Sequence, residues 1–153
     1  MRWLVACLVL LAAPAHAVSC EDITFDDHSF TICTVDATTE DLRLFHSDAD
    51  GHVIGNFRNL QTVLNDQTLL FAMNAGMYHA DRAPVGLYRE NHSDVSRLVT
   101  SDGPGNFGLL PNGVLCLSDQ SARVYESLDY VARALDCRAA SQSGPMLVID
   151  GAL

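Results

Sequence analysis

Residues 71–88 read FAMNAGMYHADRAPVGLY. With Leu69 and Leu70 in front, five consecutive apolar residues run from Leu69 to Met73, the pattern of a strand covered on both faces. The run breaks at Asn74-Ala75-Gly76, crosses a polar loop carrying His79, Asp81 and Arg82, and returns to apolar residues after Pro84. A buried strand that ends in Asn and Gly sets amide groups and bare backbone at the edge of a rigid sheet, where binding groups are commonly mounted. Two later stretches have the same character, GPGNFGLLPNG (103–113) and SQSGPMLVIDG (141–151). The three are expected to converge.

Around this centre the chain reads as one exported domain. Arg2, the apolar run from Leu4 to Ala13 and the small-x-small site Ala15-His16-Ala17 make residues 1–17 a signal peptide, too short to span a bilayer as a mature helix. Acylation of Cys20, as in a lipoprotein, is the alternative way of processing the same segment. Cleavage after Ala17 leaves residues 18–153 as a single domain, large enough for a core and periplasmic or secreted in location. It also leaves 8 of the 9 basic residues against 19 acids, a net charge of about −11. That balance argues against nucleic-acid binding through a basic face. All the bases are Arg, so an anion would be held by forked guanidinium donors or by backbone N–H groups.

Cys20, Cys33, Cys116 and Cys137 remain after export, and four cysteines in an exported chain suggest two disulfides with three possible pairings. Cys20 with Cys33 and Cys116 with Cys137 is favoured because each pair closes a short local loop; buried free thiols are the alternative. No C-x-x-C spacing supports zinc, and no ligand spacing supports any other metal, although a divalent ion is chemically compatible with the site.

The coarse reading is α+β, a mixed or antiparallel sheet of short strands with a few packing helices. Strands are expected at 30–35, 42–45, 68–73, 85–88, 95–100, 107–110 and 114–117. Turns fall at Asp26-Asp27-His28, Asp48 to Gly51, Asn91-His92-Ser93 and Pro111-Asn112-Gly113. A helix capped by Asn59 covers 59–66, and Ser127 caps a second whose apolar face is Leu128, Val131, Ala132 and Leu135. The wholly apolar run 146–149 is expected as a central strand. Because the chain stops four residues later, the domain is expected to be incomplete at its C-terminal end.

The chemistry-bearing residues are mostly amides beside glycine. Asn74 and Gly76, Asn106, Asn112 and Gly113, then Gln142, Ser143 and Gly144 offer donors, acceptors and close backbone approach, which suits sugar hydroxyls and phosphate oxygens. Arg82 could hold an anion, while His79 or Asp150 could carry a proton. Ordinary Asn/Gly turns and a solvated His-Ala-Asp-Arg loop account for the same residues structurally. No nucleophile elbow, P-loop, dinucleotide fingerprint or H-E-x-x-H is present.

Taken in order, FAMNAGMYHADRAPVGLY, DGPGNFGLLPNGV and ASQSGPMLVIDG resemble the phosphodiester glycosidase domain, the type that uncovers mannose 6-phosphate by removing N-acetylglucosamine from a phosphodiester. Small exported bacterial proteins connected with exopolysaccharide share the likeness, which covers roughly Cys20 to the end. It implies a carbohydrate-active hydrolase that cleaves a sugar-1-phosphodiester at the anomeric carbon. The motif positions are Asn74, Gly76, Asn106, Asn112, Gly113, Gln142, Ser143, Gly144 and Asp150, with Ser141 standing where the family commonly has Thr. The further strands, Arg-containing segment and Asp-Gly-Gly motif of family members are absent here. A non-catalytic glycan or sugar-phosphate binding module, or an inactive fragment of the enzyme, is the alternative.

Overall fold

The computed structural model describes residues 18–153. The expected signal peptide at 1–17 lies outside them. The chain begins with an antiparallel hairpin, β1 (Ser19–Phe25) and β2 (His28–Thr34), in which Asp26 and Asp27 take the left-handed conformation that a two-residue hairpin turn requires. Cys20 lies directly opposite Cys33 in this register, and a disulfide joins them. Period-two alternation makes the hairpin amphipathic: Ile23, Phe25, Phe30 and Ile32 share one face, while Thr31 donates to Asp22 on the other. Phe25, Phe30 and Ile32 are exposed.

Asp48 to Gly51 forms the expected turn, closed by a bridge between Ser47 and Val53. The first helix, α1, spans Phe57–Leu64, and Asn56 caps it by accepting from the Asn59 N–H at 2.9 Å. The expected cap at Asn59 is three residues late because Asn59 spends its side chain elsewhere, donating to the Ile54 carbonyl. Leu60 and Leu64 bury themselves against Ile54, with Phe45, Leu69 and Ala72 packed around them.

The main sheet has five antiparallel strands: β3 (Tyr88–Glu90), β4 (Ser93–Ser96), β5 (Gly113–Ser118), β6 (Ser121–Glu126) and β7 (Ala139–Ser143), in the order β4-β3-β7-β5-β6. A short helix, α2 (Ser127–Ala132), links β6 toward β7. The fold is therefore α+β, as the sequence suggests. On one face of the sheet Val114, Cys116 and Ala140 pack with Leu87, Cys137 and Tyr130 of α2. Each large apolar side chain buried here contributes roughly 2 kcal/mol. The second disulfide, Cys116–Cys137, ties β5 to the segment entering β7. Both favoured pairings are thus present, and they point to an oxidising location for the protein. Among the described residues no helix is long and apolar enough to cross a membrane.

Several expected elements differ. Residues 42–45 and 68–73 form no strand. The central strand is β7, AASQS, rather than 146–149, where Leu147 and Val148 are exposed and only an Ile149–Ala152 bridge forms. Small Ala residues let β7 sit between two neighbours, and its polar Gln142 is satisfied internally, so an unremarkable stretch becomes the middle of the sheet. Residues 106–108 make a 3-10 turn instead of opening a strand at 107–110, and β6 was not anticipated. In α2 the cap is Glu126, whose carboxylate accepts from the Leu128 and Asp129 N–H groups. The helix turns Ser127 and Tyr130 inward and leaves Leu128 and Val131 exposed, because it ends at Ala132 before a wider apolar stripe can form.

Candidate functional site

The three glycine-rich stretches do meet, through contacts that only glycine permits. Ala75-Gly76 lies over β7, where the Ser141 hydroxyl donates to the Ala75 carbonyl at 2.9 Å. A Cβ on Gly76 would fall 2.8 Å from that hydroxyl and 3.1 Å from the Gln142 carbonyl. Gly86 is equally constrained, since a Cβ there would fall 2.5 Å from the Phe107 ring and 2.6 Å from the Gln142 side-chain oxygen. In the third contact Gly144 packs against Asn112, whose amide donates to the Phe107 carbonyl at 2.8 Å.

Gln142 is the knot of this arrangement. Its Oε1 accepts from the Leu87 and Val99 N–H groups at 3.1 and 3.0 Å. Its Nε2 donates to the Val99 carbonyl at 2.6 Å and to the Ser127 hydroxyl at 2.9 Å. All four positions of the amide are filled by protein, so its geometry is that of a staple between β7, the Leu87 and Val99 segments and α2. Asn112 is likewise fully buried, with its Oδ1 unpartnered among the described residues.

A cleft of about 700 Å³ opens on the face of the sheet opposite α2. Leu115 and Leu117 of β5 form part of its floor, and α1 with the 42–46 and 67–78 segments forms its walls. Asn74, Gly76, Arg82 and Gln142 line it, whereas His79, Asn106, Asn112, Gly113, Ser143, Gly144 and Asp150 do not. The loop 77–85 explains the separation of Arg82 from His79. Bonds from Val85 N to Met77 O, His79 N to Ala83 O and Arg82 N to His79 O close it as a miniature hairpin. Its tip carries His79 and Asp81 outward, and Asp81 accepts from the Ala83 N–H at 3.0 Å. Arg82 turns back through a positive φ of 72° and lays its guanidinium over the Tyr78 ring at 5.1 Å. Asp150, also at positive φ, is exposed in the small turn between Ile149 and Ala152.

The cleft adds residues that motif reading overlooked. Arg43 stands over the Phe45 ring, pairs with Asp41 at 3.0 Å and donates to Gln67 at 2.6 Å. His46 links its Nδ1 to the Ser47 hydroxyl at 2.9 Å and its Nε2 to the Arg82 carbonyl at 3.2 Å, and so holds the Arg82 loop to the cleft wall. Its ring lies 5.8 Å from that of Tyr88. The Tyr88 hydroxyl is buried, with the Glu90 carboxylate as its polar neighbour. Burial raises its pKa, and the charge of Glu90 raises it further. Burial also holds the Glu90 carboxyl above its ordinary value. Residues 42–46 carry none of the amide-glycine chemistry of the other stretches, and only the folded chain brings Arg43 and His46 to the same cleft as Asn74.

The described residues hold one group with metal-ligand geometry, Asp48, Asp50 and His52 on the exposed turn, with ligand atoms within 4.8 Å of one another. Asp48 already accepts from the main-chain N–H groups of His52 and Asp50, and the His52 contact first of all lowers its pKa.

With this geometry in view, the chain can be set beside a bacterial protein. The chain is similar to the Uncharacterized protein YigE of Escherichia coli (strain K12). The two are 32% identical over 149 residues, which is 95% of this chain and 58% of YigE. The chain therefore spans less than two thirds of the YigE length. No protein-family profile matches the chain, and no solved structure does.

Proposed function

We propose that this chain is a periplasmic or secreted hydrolase acting on a sugar-1-phosphodiester at the anomeric carbon, with the cleft as its binding site. The observation that supports the reading is the company kept in the cleft: the Asn74 amide, the Gly76 backbone and the guanidinium groups of Arg43 and Arg82. Guanidinium forks suit a phosphodiester, and an amide beside open backbone suits sugar hydroxyls. Preorganised dipoles of this kind would stabilise charge developing between the anomeric carbon and the leaving phosphate. The motif resemblance points to the same substrate class.

A second reading, a non-catalytic sugar-phosphate binding module, has its own support. The two proton carriers that the motifs nominate, His79 and Asp150, both lie outside the cleft lining. One pair of measurements separates the two readings. Oxidised full-length protein is incubated with a sugar-1-phosphodiester, free sugar is measured, and binding is followed by calorimetry. Hydrolysis predicts sugar release that falls at least ~10-fold in Asn74→Ala and Arg82→Ala, a loss of about 1.4 kcal/mol of transition-state stabilisation. Binding without release, weakened by the same variants, supports the module. Absence of both, in protein with its disulfides formed, removes the cleft from consideration as a sugar site.

A further inference from the structure

The segment Thr68–Asn74 combines two properties that rarely coexist at a finished surface. Its side chains are strongly apolar yet solvent-facing, with Leu70 59% exposed, Phe71 42% and Met73 69%. Its backbone is also unpaired: among the described residues, no main-chain hydrogen bond joins any residue from Thr68 to Asn74 to another segment. Leu147 and Val148 show the same combination of exposure and missing ladder partners. An open row of N–H and C=O groups flanked by apolar side chains is a template for strand addition. A sugar would occupy one end of the cleft without satisfying seven successive peptide groups, so this edge asks for a polypeptide.

The charge of the chain and the length of its relative narrow the occupant. A net charge of −10 makes a second copy a poor partner, since two such surfaces repel. YigE, by contrast, carries about two fifths of its length outside the part that this chain matches. We propose that Thr68–Asn74 is a docking edge for a strand-forming polypeptide, the counterpart of the YigE segment that lies outside the match. Docking supplies ladder bonds to the peptide groups of 68–74 and covers Leu70, Phe71 and Met73. It rests on other observations than the sugar-phosphodiester reading, while sharing Asn74 and the cleft with it.

The test uses the oxidised full chain and overlapping synthetic peptides covering the unmatched part of YigE, followed by amide hydrogen exchange and light scattering. The expected result is that one peptide, or two adjacent ones, forms a one-to-one complex and slows exchange at Leu69 to Met73 by about tenfold or more. Phe71→Asp should abolish the complex, and Phe25→Asp on the β1–β2 hairpin should leave it intact. The exchange pattern of the unaltered chain decides the matter if the Phe71 variant folds poorly. The proposal is overturned if no peptide slows exchange there, if a peptide binds but protects other residues, or if the chain alone self-associates and protects 68–74.

Discussion

The two faces of the five-stranded sheet are built on opposite principles. On the α2 face, Val114, Cys116, Ala140 and Tyr130 close a core, a disulfide crosses it, and Gln142 fills all four of its hydrogen-bond positions. On the other face, Leu115 and Leu117 look into a cleft walled by α1 and loops, and the apolar segment 68–74 lines it without ladder partners. The closed face carries the paired core of the domain, and the open face carries the cleft proposed as its binding site. A site is easier to change than a core, because surface loops tolerate substitutions that packed, fully paired side chains do not.

If that division is right, the largest loss should come from Gln142→Leu. It strands the Leu87 and Val99 N–H groups and the Val99 carbonyl, leaves the Ser127 hydroxyl only its bond to the Asn112 carbonyl, and should cost ~4 kcal/mol in urea unfolding. A loss below about 1 kcal/mol would mean that the closed face is less tightly paired than its geometry indicates.

The disulfides make a sharper contrast. Replacing Cys116 and Cys137 by Ala should lower global stability by ~3 kcal/mol, because the bridge spans the core. Replacing Cys20 and Cys33 should leave the main unfolding transition almost unmoved and speed amide exchange only in 19–34, since the hairpin pairs with no strand of the main sheet. Equal shifts in the main transition for the two pairs would show that the hairpin is part of the cooperative unit.

On the open face, Gly76→Ala should cost ~1 kcal/mol, because the Ser141 hydroxyl must rotate away from the new methyl and give up its bond to the Ala75 carbonyl while the Gln142 carbonyl yields slightly. Its more visible effect should be on the cleft, through displacement of Asn74. Ligand binding that weakens far more than this loss of stability accounts for would support the division between the faces.

The smallest effect expected is one of pH. Burial raises the Glu90 pKa above its ordinary value of 4.5, so the folded state holds this proton more tightly than the unfolded chain does. The associated stabilisation is full below that value and is lost as pH rises through the folded pKa. Glu90→Gln should remove this decline, and urea midpoints compared at pH 4 and pH 7 should differ less in the variant than in the parent.

Most of what the sequence made legible rests on short-range rules. The Asp26-Asp27 turn, the Asp48 turn, a short helix carrying Leu60 and Leu64 and the pairing of nearby cysteines depend on neighbours a few residues away; each is found, the helix two residues earlier than its pattern places it. The convergence of Gly76, Phe107 and Ser141-Gln142 was visible as recurring amide-glycine chemistry, although not its purpose. Gln142 reads as a ligand group in one dimension and as a four-way staple in three.

What the sequence determined by itself, then, was local: the hairpin turn at Asp26-Asp27, the turn at Asp48 to Gly51 and the two disulfides, each set by neighbours a few residues away. Tertiary structure alone decided that the sheet forms around AASQS instead of around the apolar runs at 69–73 and 146–149. The physical reason is that a strand becomes central by having two partners for its backbone and room for its side chains. Ala139, Ala140 and a satisfied Gln142 meet both conditions between β3 and β5, whereas Leu70, Phe71 and Met73 have the hydrophobicity of a central strand without the partners.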